Sequence, residues 1–190
     1  MGLSKREQLL RTALALFKKH GFHAIGVDVI AHRSGVTKKT LYHHFRSKDE
    51  LILAVLRYYD ERFRNHFIRQ VESRAKTPLR RLTALFDVAK DWFNENDFYG
   101  CLFVGALGEF PEPDTAIRNA CRESKNLMRD YFRELAEGAG ASKPKELADQ
   151  LLLLMEGAIT MAQVNHSPFS AQQAKAAARV LIRNARSSAQ

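Results

Sequence analysis

An all-α fold follows from three observations on the sequence. Apolar residues recur at helical spacing along nearly the whole chain. Glycines and prolines interrupt that recurrence at helix-sized intervals. Ser/Thr caps stand where new helices should begin, and no stretch alternates as a half-buried strand does. Together they predict about nine helices.

The first helix opens at Ser4, which forms an S-x-x-E box with Glu7. Leu10, Ala13, Leu14 and Phe17 then share one face, and Gly21 ends the helix. A short second helix covers about Val27 to Ser34, with Val27, Ile30 and Ala31 inward, and Gly35 breaks it. Thr37 can cap a third, Lys38 to about Phe45, with Leu41 and Phe45 inward. Ser47 and Glu50 form another box, and a long helix runs on to about Arg74. Pro78 stands near the start of a helix expected over Leu79–Asn94. Asn94–Gly100 reads as a connection, and Cys101–Glu109 as a short apolar helix stopped by Pro111 and Pro113. Asp114–Glu137 is a long amphipathic helix, ended by the GAGAS run. Ser142 and Glu146 miss the usual capping spacing by one residue, but Pro144 still marks a helix start. That helix reaches about Asn165, and a last one covers about Ala171–Asn184.

The chain has 190 residues, enough for one or two domains with a real core. Lys and Arg outnumber Asp and Glu by 30 to 21, and the excess is uneven. Residues 1–50 hold ten Lys/Arg and four Asp/Glu, with five of the seven histidines. A basic first quarter on a near-balanced remainder points to an anionic partner for that quarter. Cys101 and Cys121 form no metal-type spacing and read as free thiols. Charges at Lys5, Arg6, Glu7 and Arg11 interrupt any signal-like apolar run. The apolar stretch Leu151–Val164 contains Glu156 and is too short to span a bilayer. The expected location is the cytoplasm, and no cofactor is indicated.

Three short helices with a glycine-containing turn between the second and third make a helix-turn-helix pattern. The third helix opens with Lys38 and Lys39, although cations at a helix N-terminus oppose its dipole. Leu41 and Phe45 are four apart and hold one face in the core. Lys38, Lys39, Thr40, Tyr42 and His43 then point outward or to the flanks, as donors suited to phosphates and base edges. Duller readings exist: the lysines as a solvated face, Tyr42 as mostly core, His43–His44 as metal ligands. The last fails on geometry, because adjacent helical residues point about 100° apart. His20, His23 and His32 read as ordinary surface residues.

The first fifty residues resemble the TetR family of bacterial transcriptional regulators. The likeness is carried by LFKKHGF and VDVIAHRSGVTKKTLYHHFRSKDEL, with Phe17, Gly21, Phe22, Ile30, Ala31, Gly35, Val36, Leu41, Tyr42, Phe45, Lys48 and Leu51 all at fitting positions. The resemblance implies a DNA-binding domain over residues 1–47 and a helical effector-binding and dimerisation domain over 48–190. It places Thr37, Lys38, Lys39, Thr40, Tyr42, His43 and His44 against DNA, with Lys48 as a phosphate contact. By chemistry, Lys38 and Lys39 are the best base readers, since lysine donates to guanine O6 and N7. Two positions depart from the family: Gly26 stands where Ser or Thr usually caps the second helix, and Lys39 where many members have Gly. Asp28 would be repelled by a close phosphate and is given no DNA role.

Lys145–Val164 is apolar nearly all round, so it needs cover on two sides. Gly157, Ala158 and Ala162, with Ala174, Ala177, Ala178, Leu181 and Ile182 on the last helix, offer small-residue surfaces for a homodimer. The resemblance implies the same: a four-helix bundle of the last two helices. It also implies an effector pocket among the middle helices. Candidates to line it are Phe86, Trp92, Phe93, Phe103, Glu109, Met128, Phe132, Met155, Glu156 and Ile159, for a small apolar or amphipathic effector. Plain core packing is the competing reading for the apolar members, and a solvated or capping role for the two glutamates. An enzyme using Glu109, Glu156 and His166 finds no supporting nucleophile, metal or phosphate-loop pattern. The expected function is a homodimeric repressor released from its operator by a small molecule. The alternative is a DNA-binding regulator with no such ligand, constitutive or controlled by a protein. The operator, the effector and the regulated genes are not legible in the sequence.

Overall fold

The computed structural model describes residues 3–187. Among these it has nine α-helices and no strand: α1 Lys5–His20, α2 Val27–Ser34, α3 Lys38–His44, α4 Lys48–Arg74, α5 Pro78–Phe93, α6 Leu102–Glu109, α7 Ala116–Gly138, α8 Pro144–Asn165 and α9 Phe169–Ser187. The all-α expectation holds, and the boundaries shift by a few residues where local chemistry decides. Thr77 Oγ1 accepts from the Arg80 amide at 3.4 Å, so α5 begins at Pro78. Thr115 Oγ1 accepts from the Arg118 amide at 3.2 Å, so α7 starts beyond Asp114. Ser142 does not cap α8; its amide and hydroxyl both bond the Ala185 carbonyl, at 2.9 and 3.0 Å.

The two S-x-x-E boxes form only in part. Ser4 and Ser47 accept from the Glu7 and Glu50 amides, each at 3.1 Å. Glu7, however, turns its carboxylate to Arg11 at 2.8 Å. Glu50 reaches back past Ser47 to the Arg46 amide at 2.6 Å.

Packing divides the chain into two compact units. One holds residues up to Phe63 with Leu102–Ser124; the other holds Arg64–Cys101 with the chain from Lys125 onward. This division follows contacts and does not coincide with residue 47.

In the first unit α1, α2 and α3 pack on one another. Leu9, Leu10, Ala13, Phe17, Phe22, Ile30, Ala31, Leu41 and Phe45 are buried there. Gly35 takes a left-handed conformation, and its amide bonds the Ala31 and His32 carbonyls. Thr37 then caps α3, accepting from the Thr40 amide at 3.1 Å.

A contact remote in sequence fixes the loop between α1 and α2. Glu109, the last residue of α6, accepts from the amides of Phe22 (2.8 Å) and His23 (2.6 Å). His23 Nε2 bonds the Glu109 carbonyl oxygen at 2.8 Å, and the His23 ring lies 4.7 Å from that of Phe110. Gly21 permits this approach: its φ is +83°, and a Cβ would sit 2.8 Å from Glu109 Oε1. His23 is therefore a structural bridge, not the ordinary surface residue expected.

In the second unit α5, α8 and α9 pack together. Leu82, Leu85, Phe86, Phe132, Leu147, Leu151, Met155, Ile159, Ala171, Ala178 and Ile182 fill its core. Lys175 of α9 pairs with both carboxylate oxygens of Asp87 on α5, at 2.6 and 2.5 Å. Among the described residues α8 is the one helix long and apolar enough to cross a membrane. The helix reaches 22 residues because it includes the polar turn before Leu151, with Lys145, Glu146 and Asp149. Its buried face, with Leu147, Leu151, Met155, Ala158, Ile159 and Ala162, packs on α5 and α9.

Two variants test this account of the first unit. Gly26 caps α2 with no side-chain hydrogen bond, and a Cβ there meets no atom within 4 Å. Gly26→Ser should therefore raise stability by about 0.5–1 kcal/mol, through the added cap and a less flexible unfolded chain. Thermal unfolding reads this out. Glu109→Ala should cost about 1–3 kcal/mol, because two amides lose a carboxylate partner. Hydrogen exchange at the Phe22 and His23 amides should rise with it; unchanged exchange would contradict the clamp.

Candidate nucleic-acid interface

The surface built by α3 and its flanks is formed because Leu41 and Phe45 are locked inside, at 0% and 1% exposure. The residues between them must face out. Lys38, Lys39, Tyr42 and His43 are exposed, and Thr40 and His44 are half-buried. Tyr42 at 43% exposure presents its ring as well as its hydroxyl, so it is not a core residue. Thr37 and Thr40 are joined through their hydroxyls at 2.8 Å, which orients both at the start of the helix.

The two lysines at that start differ. Lys38 pairs with Asp28 at 2.9 Å, across the turn from the first helical turn of α2. The hydrogen bond and the charge of Asp28 hold the Lys38 ammonium above its usual range. Asp28 thus has a role that keeps it away from phosphate: it holds Lys38 while the surface is free. Lys39 makes no ion pair among the described residues. It is the lysine free to donate at once to a base edge. To donate to a base edge, Lys38 must first leave Asp28.

His43 and His44 stand as adjacent helical residues must, with ring centroids 5.4 Å apart and planes at 66°. No group of three or more His, Cys, Asp or Glu that could hold a metal occurs among the described residues. His44 also lies 6.3 Å from the Phe45 ring. Lys48 begins α4, and its Nζ donates to the His23 carbonyl at 3.3 Å. That carbonyl belongs to the loop that Glu109 clamps, so the clamp also sets where Lys48 starts from. The α4 N-terminus supplies backbone donors beside it, a geometry suited to a phosphate.

Sequence reasoning missed Glu109 and His23 as parts of this arrangement. They are 86 positions apart, and no periodicity or spacing relates them. The candidate effector-lining residues fall in both packing units. Phe103 and Glu109 belong to the first unit, and Phe86, Trp92, Phe93, Met128, Phe132, Met155, Glu156 and Ile159 to the second. Within the second unit Trp92, Phe93 and Phe98 form an aromatic cluster with centroids 5.0–5.5 Å apart. Glu109 is committed to the clamp, and Glu156 pairs with Lys125 at 2.6 Å.

Comparison with known proteins agrees with this geometry. Residues 9–55 match the family described as bacterial regulatory proteins, tetR family, and residues 78–178 match the tetracyclin repressor-like C-terminal domain. The transcriptional regulator YjdC of Escherichia coli is 24% identical over 182 residues, covering 96% of this chain and 95% of that protein. The transcriptional repressor KstR2 of Mycolicibacterium smegmatis is 38% identical over 141 residues, 72% of this chain and 67% of that protein. A TetR-family regulator from Streptomyces coelicolor superposes with a TM-score of 0.87 at 27% identity, over 96% of each chain. With both family regions matched and an outward-facing basic recognition helix in place, this chain belongs to the TetR family and is a DNA-binding transcriptional regulator.

Proposed function

We propose that the protein is a homodimeric, cytoplasmic repressor that a small-molecule effector releases from its operator, and that it has no catalytic activity of its own. The observation that carries the DNA half of this reading is the exposed α3 face, with unpaired Lys39 beside Thr37, Thr40, Tyr42 and His43 and with Lys48 at the head of α4. Residues 1–47 then act as the reading head and 48–190 as the effector and dimer region, whatever units the packing forms. Thr37, Lys38, Lys39, Thr40, Tyr42, His43, His44 and Lys48 are its DNA-facing set. Lys39 reads bases, while Lys48, Thr40, Tyr42 and His44 seat the protein on phosphates.

Dimerisation is supported by the second face of α8. Leu153 is 74% exposed, Val164 65% and Met161 48%, and Gly157 lies on the same stripe. On α9, Val180 is 49% exposed and Ala177 lies open beside it. A contiguous apolar surface of this kind on a folded chain marks an interface. A two-fold dimer through it would present two recognition helices to two half-sites.

Effector control is supported by the aromatic interior of the second unit and by Tyr131. Burial, then the negative charge of Glu72, pushes the Tyr131 phenol up to about 12. Its hydroxyl is buried without a hydrogen-bond partner. An effector acceptor would satisfy that donor, and an effector that prefers the DNA-incompetent arrangement would shift the equilibrium away from DNA. The alternative, a regulator with no small-molecule ligand, draws on the tight packing of the same interior. Phe86 and Phe132 are 1% and 0% exposed, as closely packed core side chains are.

A gel shift with the DNA upstream of the protein's own gene tests the reading; absence of sequence-selective binding at physiological salt would refute it. Lys39→Ala should relax base preference at one operator position by roughly 1–3 kcal/mol. Lys48→Ala should instead weaken binding to every sequence and flatten the salt dependence; identical behaviour of the two variants would overturn the division of roles. Sedimentation of Leu153→Asp combined with Val164→Asp should show monomers where the unaltered chain shows dimers. Retained dimers would move the interface elsewhere.

A further inference from the structure

Asp28 places a carboxylate beside the basic start of α3. It stands in the first turn of α2, and Lys38 is the first residue of α3. The Lys38 ammonium lies 2.9 Å from Asp28 Oδ1 and 3.2 Å from Oδ2, so one cation spans both carboxylate oxygens. Both residues belong to the first unit, and both side chains are open to solvent, at 54% for Lys38 and 72% for Asp28. Other acidic residues of this region are used differently. Glu7 turns to Arg11 within α1, and Glu50 accepts from the Arg46 amide. Asp28 instead occupies a cation of the reading face itself.

The pair is built to open. Exposed ion pairs are weak and are screened by salt. Lys38 is therefore held in the free protein, and a better acceptor can draw it off. Duplex DNA offers two kinds of acceptor. Every sequence offers phosphates, whereas only some place the O6 and N7 atoms of a guanine opposite Lys38. A phosphate brought to Lys38 is also brought to Asp28, and the two negative charges repel. A guanine edge presents two acceptors to one ammonium and carries no net charge. The carboxylate therefore opposes the phosphate contact more than the base contact.

We infer that Asp28 is a specificity-determining residue of the DNA-binding face: it withholds Lys38 from phosphates and releases it to a guanine edge, a step that rests on the proposed placing of Lys38 against DNA. Asp28 acts through Lys38 and is a positioning residue. Its effect falls mainly on random duplex. There the paired lysine adds no net charge and releases no counterion, whereas a free lysine would do both. The cost of the device is a loss of non-specific affinity, and its gain is a larger ratio between the preferred site and all others. The same carboxylate also favours the dipole at the start of α2, where Gly26 supplies no capping side chain. That local role does not involve Lys38, which lets the two be separated.

The test uses the full-length protein, Asp28→Asn, Asp28→Glu, Lys38→Met and the Asp28→Asn/Lys38→Met double variant. Each is titrated by fluorescence anisotropy against two duplexes over a range of salt. One duplex is selected by the unaltered protein from a random pool, and the other is its scrambled sequence. Thermal unfolding checks that each variant is folded. Asp28→Asn should bind the scrambled duplex about tenfold more tightly and the selected duplex by no more than about threefold. Its salt slope on the scrambled duplex should steepen by about 0.9, as for one more phosphate neutralised. Asp28→Glu keeps the carboxylate and should stay close to the unaltered protein in both readouts. With Lys38→Met already present, Asp28→Asn should gain less than about twofold on either duplex.

An unchanged ratio between the two duplexes in Asp28→Asn would overturn the inference. So would an equal gain in the Lys38→Met background, which would make Asp28 a general repulsive charge. A fall in unfolding temperature with no change in the ratio would leave Asp28 serving α2 alone. In each of these cases the DNA reading stands if Lys38→Met weakens binding to the selected duplex. A selection that returns no preferred site would instead refute that reading, and the role of Asp28 with it.

Discussion

One carboxylate holds two backbone amides, and the recognition surface depends on it. Glu109 closes the loop after α1 by accepting from Phe22 and His23, and His23 answers through its ring to the Glu109 carbonyl. Charge-assisted bonds of this kind are shorter and stronger than neutral ones. The loop they fix carries the carbonyl that holds Lys48 and leads directly into α2, against which α3 packs. The α1–α3 core holds α3 itself, and the clamp fixes the loop beside it.

The charges on α3 show a second tension resolved by function. Two lysines at a helix start oppose the dipole, and the free protein relieves half of that conflict through Asp28. Lys39 is left unrelieved among the described residues. Local stability is given up where an anionic partner restores it, as functional sites commonly do.

Much of the fold was legible because its cause is local. Ser4, Thr37, Ser47 and the glycines after α1 and α2 set helix ends through bonds within a few residues, and the apolar spacing of Leu41 and Phe45 decided which face of α3 turns outward. That α8 needs cover on two sides was legible, but not which residues take each side: Ala158 and Ala162, read as open to a partner, are buried within the chain, while Leu153, Met161 and Val164 are exposed. What escaped were pairings between distant segments. Nothing in the spacing of Glu109, Lys125 or Asp28 announces the Phe22 amide, the Cys101 sulfur or the Lys38 ammonium. Glu109 and Glu156, read as effector contacts, turn out to be committed to backbone amides and to a lysine. A carboxylate beside an apolar run signals that it needs a partner; only the fold says which one.

In the proposed dimer, two copies of α3 related by a two-fold axis read DNA together. Hydroxyl-radical footprinting of the protein's own upstream region at physiological salt tests this most directly. Protected patches should lie on one face of the duplex, in a pattern symmetric about a dyad, with half-sites about one helical turn or a multiple apart. A single unpaired patch, or uniform protection without boundaries, would contradict it.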